Sequence, residues 1–525
     1  MRITNNMIMN NSSSNINGTK TLVNARNTQM TTQKKIDRPS EDPVIAVRSL
    51  RLQTSLSKVN QYYEKNIPDA ESWMDVTETA LLNIRDVMTD FRTLCVNAST
   101  GTLTQDDRNT ITTQLEALQQ AVFSEGNADY AGRTVFTGFR TDKNLTFTEA
   151  ENSTKYTIEQ RLSADNMVLT RYYNNEVTVP TNLTEVNDLM VEFNGATTGT
   201  KDPAQYTIQQ SNFYRLRLGY DQIDGLVDAD GNATKIKYTM NGTTTEITPT
   251  VYESEEAWAA AMTDAEGKKS VPADGIVVIK STGDLIFGDT LQASLQSGHA
   301  DITVNYTKTG FNEGDLRPEY YYDCQNITDP ANVITYDKVT DNGDYLTYDI
   351  NYTVAQNQTI NVNMEACEVF DGSIQQDMIE LREAVNNSIE AHDKVDKIKS
   401  MMAEETYSSD ECQAKLTKWL DMAKKEMDYY DNNLSKMCSE NLGRIDSYLA
   451  DVSLAVTRLG CTMDQLELYE KRMNDQQQTV QSLQSTNDDL ELSEIIIQYT
   501  ASYNAYQASL TAAGKLSGQT LLNYI

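Results

Sequence analysis

Histidine is nearly absent: His299 and His392 are the only two in 525 residues. A histidine-based catalytic triad or a histidine-rich metal site therefore has little to draw on. Six cysteines (Cys95, Cys324, Cys367, Cys412, Cys438, Cys461) are scattered with no C-x-x-C pair, which excludes the usual zinc spacings and a dense disulfide framework. They read as small apolar side chains in helices and strands. Positive charge is scarce too, with 44 Lys and Arg against 76 Asp and Glu and a net charge of −32. A field of that sign disfavours nucleic acid and anionic lipid as general partners. No apolar run approaches the roughly 20 residues that span a bilayer. The start, "MRITNNMIMNNSSSN", offers only Met7-Ile8-Met9 where a secretory signal needs a longer apolar core. The sequence contains no H-E-x-x-H, G-x-S-x-G, G-x-x-x-x-G-K-[ST] or G-x-G-x-x-G. No catalytic, metal or cofactor-binding residue is assigned.

The charge is uneven. Residues 1–52 hold eight Lys/Arg and three Asp/Glu, so this stretch is net positive while the rest is strongly negative. Within it Met9, Ile16, Val23 and Met30 recur every seven residues, whereas the neighbouring seam positions are Ser, Thr or Asn. Eight asparagines in the first 30 residues lower helix propensity further. One apolar residue per two turns is half of what a coiled-coil seam requires. Residues 1–36 thus form a helix only against a partner.

"KKIDRPSEDPVIAVRSL" (34–50) is a rigid joint. Pro39 disfavours helix at Arg38, and Pro43 suits the first turn of the next helix, where its missing N–H costs little. Ser40 and Asp42 can cap the helix start, and Glu41 and Asp42 complement its dipole. From Leu52 a 3-4 register runs through Leu56, Val59, Tyr63, Ala70, Trp73, Ile84, Val87, Phe91, Leu94 and Ala98, a helix of some 55 residues with a kink expected at Pro68. Thr104 caps a second helix, with Asp107 completing a capping box.

Alternating strands then occupy the chain to about Asn363, including a hairpin at Asn241-Gly242. "SEEAWAAAMTDAEG" is the single short helix expected among them. "DADGN" (228–232) faintly suggests a calcium loop, but it lacks the third acidic ligand and the closing Glu, and reads as a hairpin turn. Helical periodicity returns at Gln375, with Met378, Leu381, Val385 and Ile389 on one face. Separate long stretches follow at Leu416–Met437 and Leu442–Met473. The last carries Leu492, Ile496, Tyr499, Tyr503, Tyr506, Leu510 and Ala513.

The reading is an α+β chain: a discontinuous long-helix coiled-coil bundle from the N- and C-terminal segments, with an inserted β-rich domain. The expected divisions are 1–40 (terminal assembly segment), 41–142 and 366–492 (two halves of the helical rod), 143–365 (β insertion) and 493–525 (C-terminal assembly helix). Because the apolar register lies outside residues 143–365, their deletion is expected to leave the helices foldable.

"MRITNNMI", "QKKIDRPSEDPVIA", "ASTGTLTQDDR" and "GNADYAGRTVFTGFRT" occur in an order and spacing that resemble the flagellin family. "LGRIDSYLADVSLAVTRLGCTMDQLE" and "LELSEIIIQYTASYNAYQASLTAAGKLSGQTLLNYI" resemble the family's C-terminal core, so the resemblance covers about residues 1–142 and 440–525. "ACEVFDG" resembles its return from the variable domain. The RPSEDP stretch is similar to the hook-associated members rather than to filament flagellins, which are usually proline-free there. The resemblance implies a structural, non-enzymatic part of the bacterial flagellum, at the hook–filament junction. It implies export by the flagellar type III route without a cleavable signal peptide, and assembly outside the cell as a ring. The implied partners are other copies of the chain, a neighbouring hook-associated protein, flagellin and an export chaperone, with no nucleic acid and no membrane insertion. The candidate subunit-assembly residues are Met9, Ile16, Val23, Met30, Pro39, Asp42, Pro43, Ile496, Tyr499, Tyr503, Tyr506 and Leu510. Filament flagellin is the alternative within that class. A surface binding or adhesion module built on the β-rich insertion is the alternative outside it.

Overall fold

The structure, a computed structural model, describes residues 5–99, 103–174, 176–188, 208–228, 231–263, 268–340 and 343–517. Its helices are α1 (Asn5–Thr32), α2 (Pro43–Gln61), α3 (Ile67–Ala98), α4 (Gln105–Gly126), α5 (Leu183–Asp188), α6 (Glu255–Ala261), α7 (Asp289–Ser297), α8 (Ala366–Val369), α9 (Ser373–Ala403), α10 (Asp410–Asp488) and α11 (Leu492–Ser517). Its strands are β1 (Asp129–Tyr130), β2 (Arg133–Thr134), β3 (Glu151–Ser163), β4 (Val168–Asn174), β5 (Gln209–Arg217), β6 (Ile236–Met240), β7 (Thr243–Ile247), β8 (Thr250–Tyr252), β9 (Ile276–Ile279), β10 (Asp284–Phe287), β11 (Asp301–Phe311), β12 (Asp323–Asn326), β13 (Ile334–Tyr336), β14 (Asn351–Ala355) and β15 (Gln358–Asn361). The chain divides into two units, one of residues 1–71, 351–361 and 462–525, the other of 72–350 and 362–461.

In the second unit the β-rich region is two sheets. A five-stranded sheet has order β4-β5-β10-β9-β8, and a six-stranded sheet has order β13-β12-β3-β11-β6-β7. Their facing sides share one core, with Ile158, Ile302, Val304 and Tyr306 from one sheet and Leu216, Val278, Leu285 and Phe287 from the other. Side chains alternate along a strand. The opposite side of the five-stranded sheet therefore presents Tyr172, Val277, Ile279 and Ile286, which pack with Trp258 of α6. Asn241 and Gly242 adopt φ of 51° and 76°, so β6 and β7 join through the positive-φ pair that a two-residue hairpin requires.

The helices of this unit bury Trp73, Leu81, Ile84, Phe91 and Cys95 of α3, and Leu434, Cys438, Ile445, Val452 and Leu459 of α10. Val87 is only half-buried, and Met88 beside it is buried instead. Thr104 caps α4 with the expected reciprocal Asp107 box. A further core joins Tyr173, Val177, Val186 and Ile208 to Val395 and Ile398 of α9 and to Leu416, Trp419 and Met422 of α10. The insertion and the outer helical segments are thus one packed body. A clean separation at the ends of 143–365 does not describe this unit.

Several local expectations change. The helical stretches expected at Leu416–Met437 and Leu442–Met473 belong to one helix, α10, which runs unbroken for 79 residues. Asn441 is buried there, and its side-chain oxygen accepts from Arg444 at 2.8 Å. Two short helices, α5 and α7, join α6 in the β-rich region. "GRTVFTGFRTD" contributes only the two-residue β2 and is otherwise turns. At 228–232 the Asp228 carboxylate accepts from Asn232 N at 2.8 Å in a turn closed by a Val227–Ala233 bridge, while positions 229 and 230 lie outside the described residues.

In the first unit α2, the start of α3 and the end of α10 bury Ala46, Val59, Ile67, Ala70, Leu466, Met473 and Val480. The irregularity expected at Pro68 is a π-helical turn over Tyr62–Asn66, closed by Ile67 N–H donating to Tyr62 O. The β14–β15 hairpin fastens to it. Asn66 Nδ2 donates to Thr353 O at 2.7 Å, and the Tyr352 hydroxyl donates to Asp69.

Candidate assembly surface

The terminal helices α1 and α11 pack on each other. On α1 the half-covered positions are Ser12, Ile16, Thr19, Val23, Arg26 and Met30, an alternating 4-3 spacing. On α11 the covered positions are Ile495, Tyr499, Ser502, Tyr506, Ser509 and Ala513, the same spacing. That is the seam of an antiparallel or parallel helix pair, but a thin one. No side chain of α1 is fully buried among the described residues, and on α11 only Ile495 and Ser502 are.

Of the sequence-predicted residues, Ile16, Val23 and Met30 lie half-buried on this seam, and Met9 is 48% exposed. Tyr499 and Tyr506 are half-buried, and Tyr499 stacks on Tyr503 with ring centroids 6.1 Å apart. Ile496, Tyr503 and Leu510 are exposed. The single stripe read from the sequence is therefore two. Ile495, which the sequence reading passed over, anchors the stripe facing α1. Leu492, Ile496, Tyr503 and Leu510, spaced 4, 7 and 7, form a second apolar stripe that faces outward with Ile497. Met7, Ile8 and Leu22 are likewise exposed on α1.

The joint follows from its residues. The Asp42 carboxylate accepts from Val44 N (2.9 Å) and Ile45 N (3.2 Å), and Pro43 occupies the first helical position of α2. Glu41, expected to act on the dipole, instead accepts from Asp37 N at 2.9 Å, while Ser40 makes no cap. Pro39 is exposed.

Sequence reasoning missed that the break before α11 lies against this joint. Lys35 N donates to Asp488 O and Leu490 N to Gln33 O, both at 2.8 Å. Lys34 Nζ reaches Asp489 at 2.5 Å. Ser49 Oγ donates to the Asp488 carboxylate and Asn487 Nδ2 to Ile45 O. The signal was present in "NDDLELSE", whose acidic run precedes a helix start. Lys34 and the neighbouring Ser485 hold the Asp489 carboxyl below its ordinary pKa.

The other unit holds no comparable chemistry. A cavity of about 380 Å3 is lined by Arg215, Asp284, Glu380, Lys269, Lys394 and Glu426 among others. Its cations are matched by acids. Arg215 bridges Asp284 and Glu380, Lys394 meets Glu426 at 2.6 Å, and Lys269 meets Glu255. His392 and Ser388 of α9 both bond Asp431 of α10, which also receives Arg108 of α4, so this carboxylate links three helices. Cys95, Cys324, Cys412 and Cys438 are buried and Cys367 is half-buried, as expected of small apolar side chains, whereas Cys461 is exposed. Burial raises the Cys367 thiol to about 11. Among the described residues no group of three or more His, Cys, Asp or Glu could hold a metal ion, and no helix is long and apolar enough to cross a membrane.

Comparison with known proteins finds a family match in the N-terminal part of the chain. Residues 3–141 match the family described as the bacterial flagellin N-terminal helical region. The flagellar hook-associated protein 3 of Escherichia coli is 29% identical over 115 residues, which is 22% of this chain and 36% of that protein. Its counterpart in Salmonella typhimurium is 28% identical over 115 residues, again 36% of its length. The chain thus spans about a third of the length of the curated relatives it matches. Among solved structures, a putative flagellar hook-associated protein from Vibrio parahaemolyticus is similar at 12% identity and TM-score 0.34, covering 86% of this chain and 100% of that one. A flagellar junction protein from Legionella pneumophila is similar at 10% identity and TM-score 0.27, covering 84% and 99%.

Proposed function

We propose, for a chain whose residues 3–141 match the flagellin N-terminal helical region, that it is a structural protein of the bacterial flagellum. On this reading it forms the hook–filament junction as a ring of copies and has no catalytic role. One observation carries the reading: the α1–α11 pair is covered on one seam and bare on another. Ile496, Ile497, Tyr503 and Leu510 on α11 and Met7, Ile8 and Leu22 on α1 stay in water in a single copy. Contiguous exposed apolar surface of this kind marks a protein–protein interface. Neighbouring copies in a ring would cover it, with a second hook-associated protein and flagellin on its two sides. Before assembly an export chaperone would cover the same stripe. The match to flagellar hook-associated protein 3 over 115 residues supports the junction over the filament.

Immunogold labelling of isolated flagella tests this reading. A single band at the hook end is the expected result. Label along the whole filament would instead identify a filament flagellin, and no label on flagella would end the flagellar assignment.

A further inference from the structure

A groove of about 230 Å3 opens in the first unit between the start of α3 and α10. Ile67, Met463 and Leu466 form its apolar floor, and the carboxylates of Asp464, Glu467 and Glu470 stand at its rim. Next to it on α10, Leu468 is 67% exposed. A groove with apolar walls and an anionic rim suits a cation carried on an aliphatic stem. Arginine has that shape, a weakly hydrated planar guanidinium on a three-carbon stem.

The same unit carries the complementary face. On α2, Val44, Val47 and Leu50 are 60%, 48% and 62% exposed. Arg48 and Arg51 are exposed among them and make no ion pair among the described residues. These arginines belong to a stretch with a positive balance, eight Lys/Arg against three Asp/Glu over 1–52. The groove itself is lined by four acids, Glu71, Asp464, Glu467 and Glu470, and by no Lys or Arg. Copies of a chain with net charge −32 repel each other unless a basic patch meets an acidic one.

We propose that the α2 face of one copy, led by Arg48 and Arg51, docks in the acid-rimmed groove of the next copy. This rests on the reading that copies assemble through the terminal helical unit. Made once between each pair of copies, the contact is head-to-tail and propagates around a ring. Glu467 already holds Lys471 at 2.6 Å, but both side chains are largely exposed, and such an i,i+4 pair is readily exchanged for an intermolecular one.

The test uses the full chain and two charge reversals, Arg48→Glu with Arg51→Glu, and Asp464→Lys with Glu467→Lys. Sedimentation velocity over a concentration series measures self-association, and circular dichroism checks that each variant is folded. Each reversal alone should raise the concentration needed for association at least about tenfold, and so should raising the salt from about 0.05 to 0.5 M. An equimolar mixture of the two variants should recover wild-type association, because every contact in an alternating assembly is then complementary. Association indifferent to both reversals, or no recovery on mixing, overturns the proposal. So does a wild-type chain that stays monomeric up to about 1 mM. A hook-end band in the labelling experiment combined with charge-indifferent association would keep the junction reading and remove only this contact.

Discussion

Hydrogen exchange on the soluble monomer is the most direct check on the terminal helices, and its outcome follows from their coverage. On α1 only Ile16, Val23 and Met30 bring apolar surface to the seam, and none is fully covered. Half-burying three such side chains contributes about 3 kcal/mol in total. The other seam positions, Ser12, Thr19 and Arg26, add little of that kind. Ordering each residue costs about 1–2 kcal/mol, which the helix's own hydrogen bonds only roughly offset in an asparagine-rich segment. Parting α1 from α11 and melting it should therefore cost no more than about 3 kcal/mol, limiting amide protection to a few hundredfold. Amides of α3 near Leu81 and Ile84, both fully buried, open only with global unfolding at about 5–15 kcal/mol. They should exchange at least about thirtyfold more slowly than those of residues 9–30. In assembled material the difference should shrink, because neighbours cover the second stripe. Equal protection of α1 and α3 in the monomer would refute both the estimate and the idea that the termini are completed by assembly.

Three further outcomes follow from the second unit. Asp377 is buried between Arg444 and Tyr448, at 2.7 Å from each, and desolvation raises its carboxyl to about 6 despite those partners. Its unfolded counterpart ionises near 3.8, so the stabilising effect of keeping this proton is full below that value and lost as the pH rises through 6. Asp377→Asn should flatten the melting temperature against pH between about 4 and 6 relative to wild type, and an unchanged slope would count against it. Arg215→Met strands Asp284 and Glu380 without their shared cation and should cost about 3–5 kcal/mol in denaturant unfolding; a loss below about 1 kcal/mol would show that Arg217 suffices. Deleting 143–365 strips Tyr173, Val177, Val186 and Ile208 from the core around Trp419. Helical circular dichroism per remaining residue should then fall, whereas full retention would restore the separable insertion expected from sequence.

How much was legible turns on what periodicity encodes. The heptad spacing of Ile16, Val23 and Met30 located the α1 seam, because one weak stripe admits a single phase. On α11 two apolar stripes lie side by side, and a 3-4 pattern through Ile496 is as regular as one through Ile495. Only the position of α1 decides between them, and that is tertiary information. The proline joint was readable from Pro39, Asp42 and Pro43, since capping is local chemistry. Its partner strand at Asp488–Leu490 was not, because the bonds to Gln33 and Lys35 span more than 450 residues. That the stretches Leu416–Met437 and Leu442–Met473 are one helix was not readable for the same reason. "CSENLG" has poor helix propensity, but Asn441 and Arg444 find each other, and packing overrides propensity. The core shared by Val177 and Trp419 left no periodic trace, as its β-side members are scattered over the end of β4 (Tyr173), the segment after it (Val177), α5 (Val186) and Ile208 before β5.

The two breaks also explain why the prolines stand where they do. A partner-dependent helix continuous with α2 would transmit its melting into the segment that buries Ala46 and Val59. Chain breaks normally expose unpaired amides and carbonyls, which is costly wherever they are sheltered from water. Here the exit of α1 and the entry of α11 satisfy each other, through Lys35 N to Asp488 O and Leu490 N to Gln33 O. Ser49 and Asn487 tie the same point to α2. The clasp belongs to the α2–α10 side, and Asp42 caps α2 whether or not α1 is formed. The terminal pair can thus order and disorder as one body while the helices behind it keep their caps and their core. Replacing Pro39 and Pro43 with alanine would remove that insulation. The variant should gain helicity through 33–42 and lose the contrast in exchange between α1 and α2.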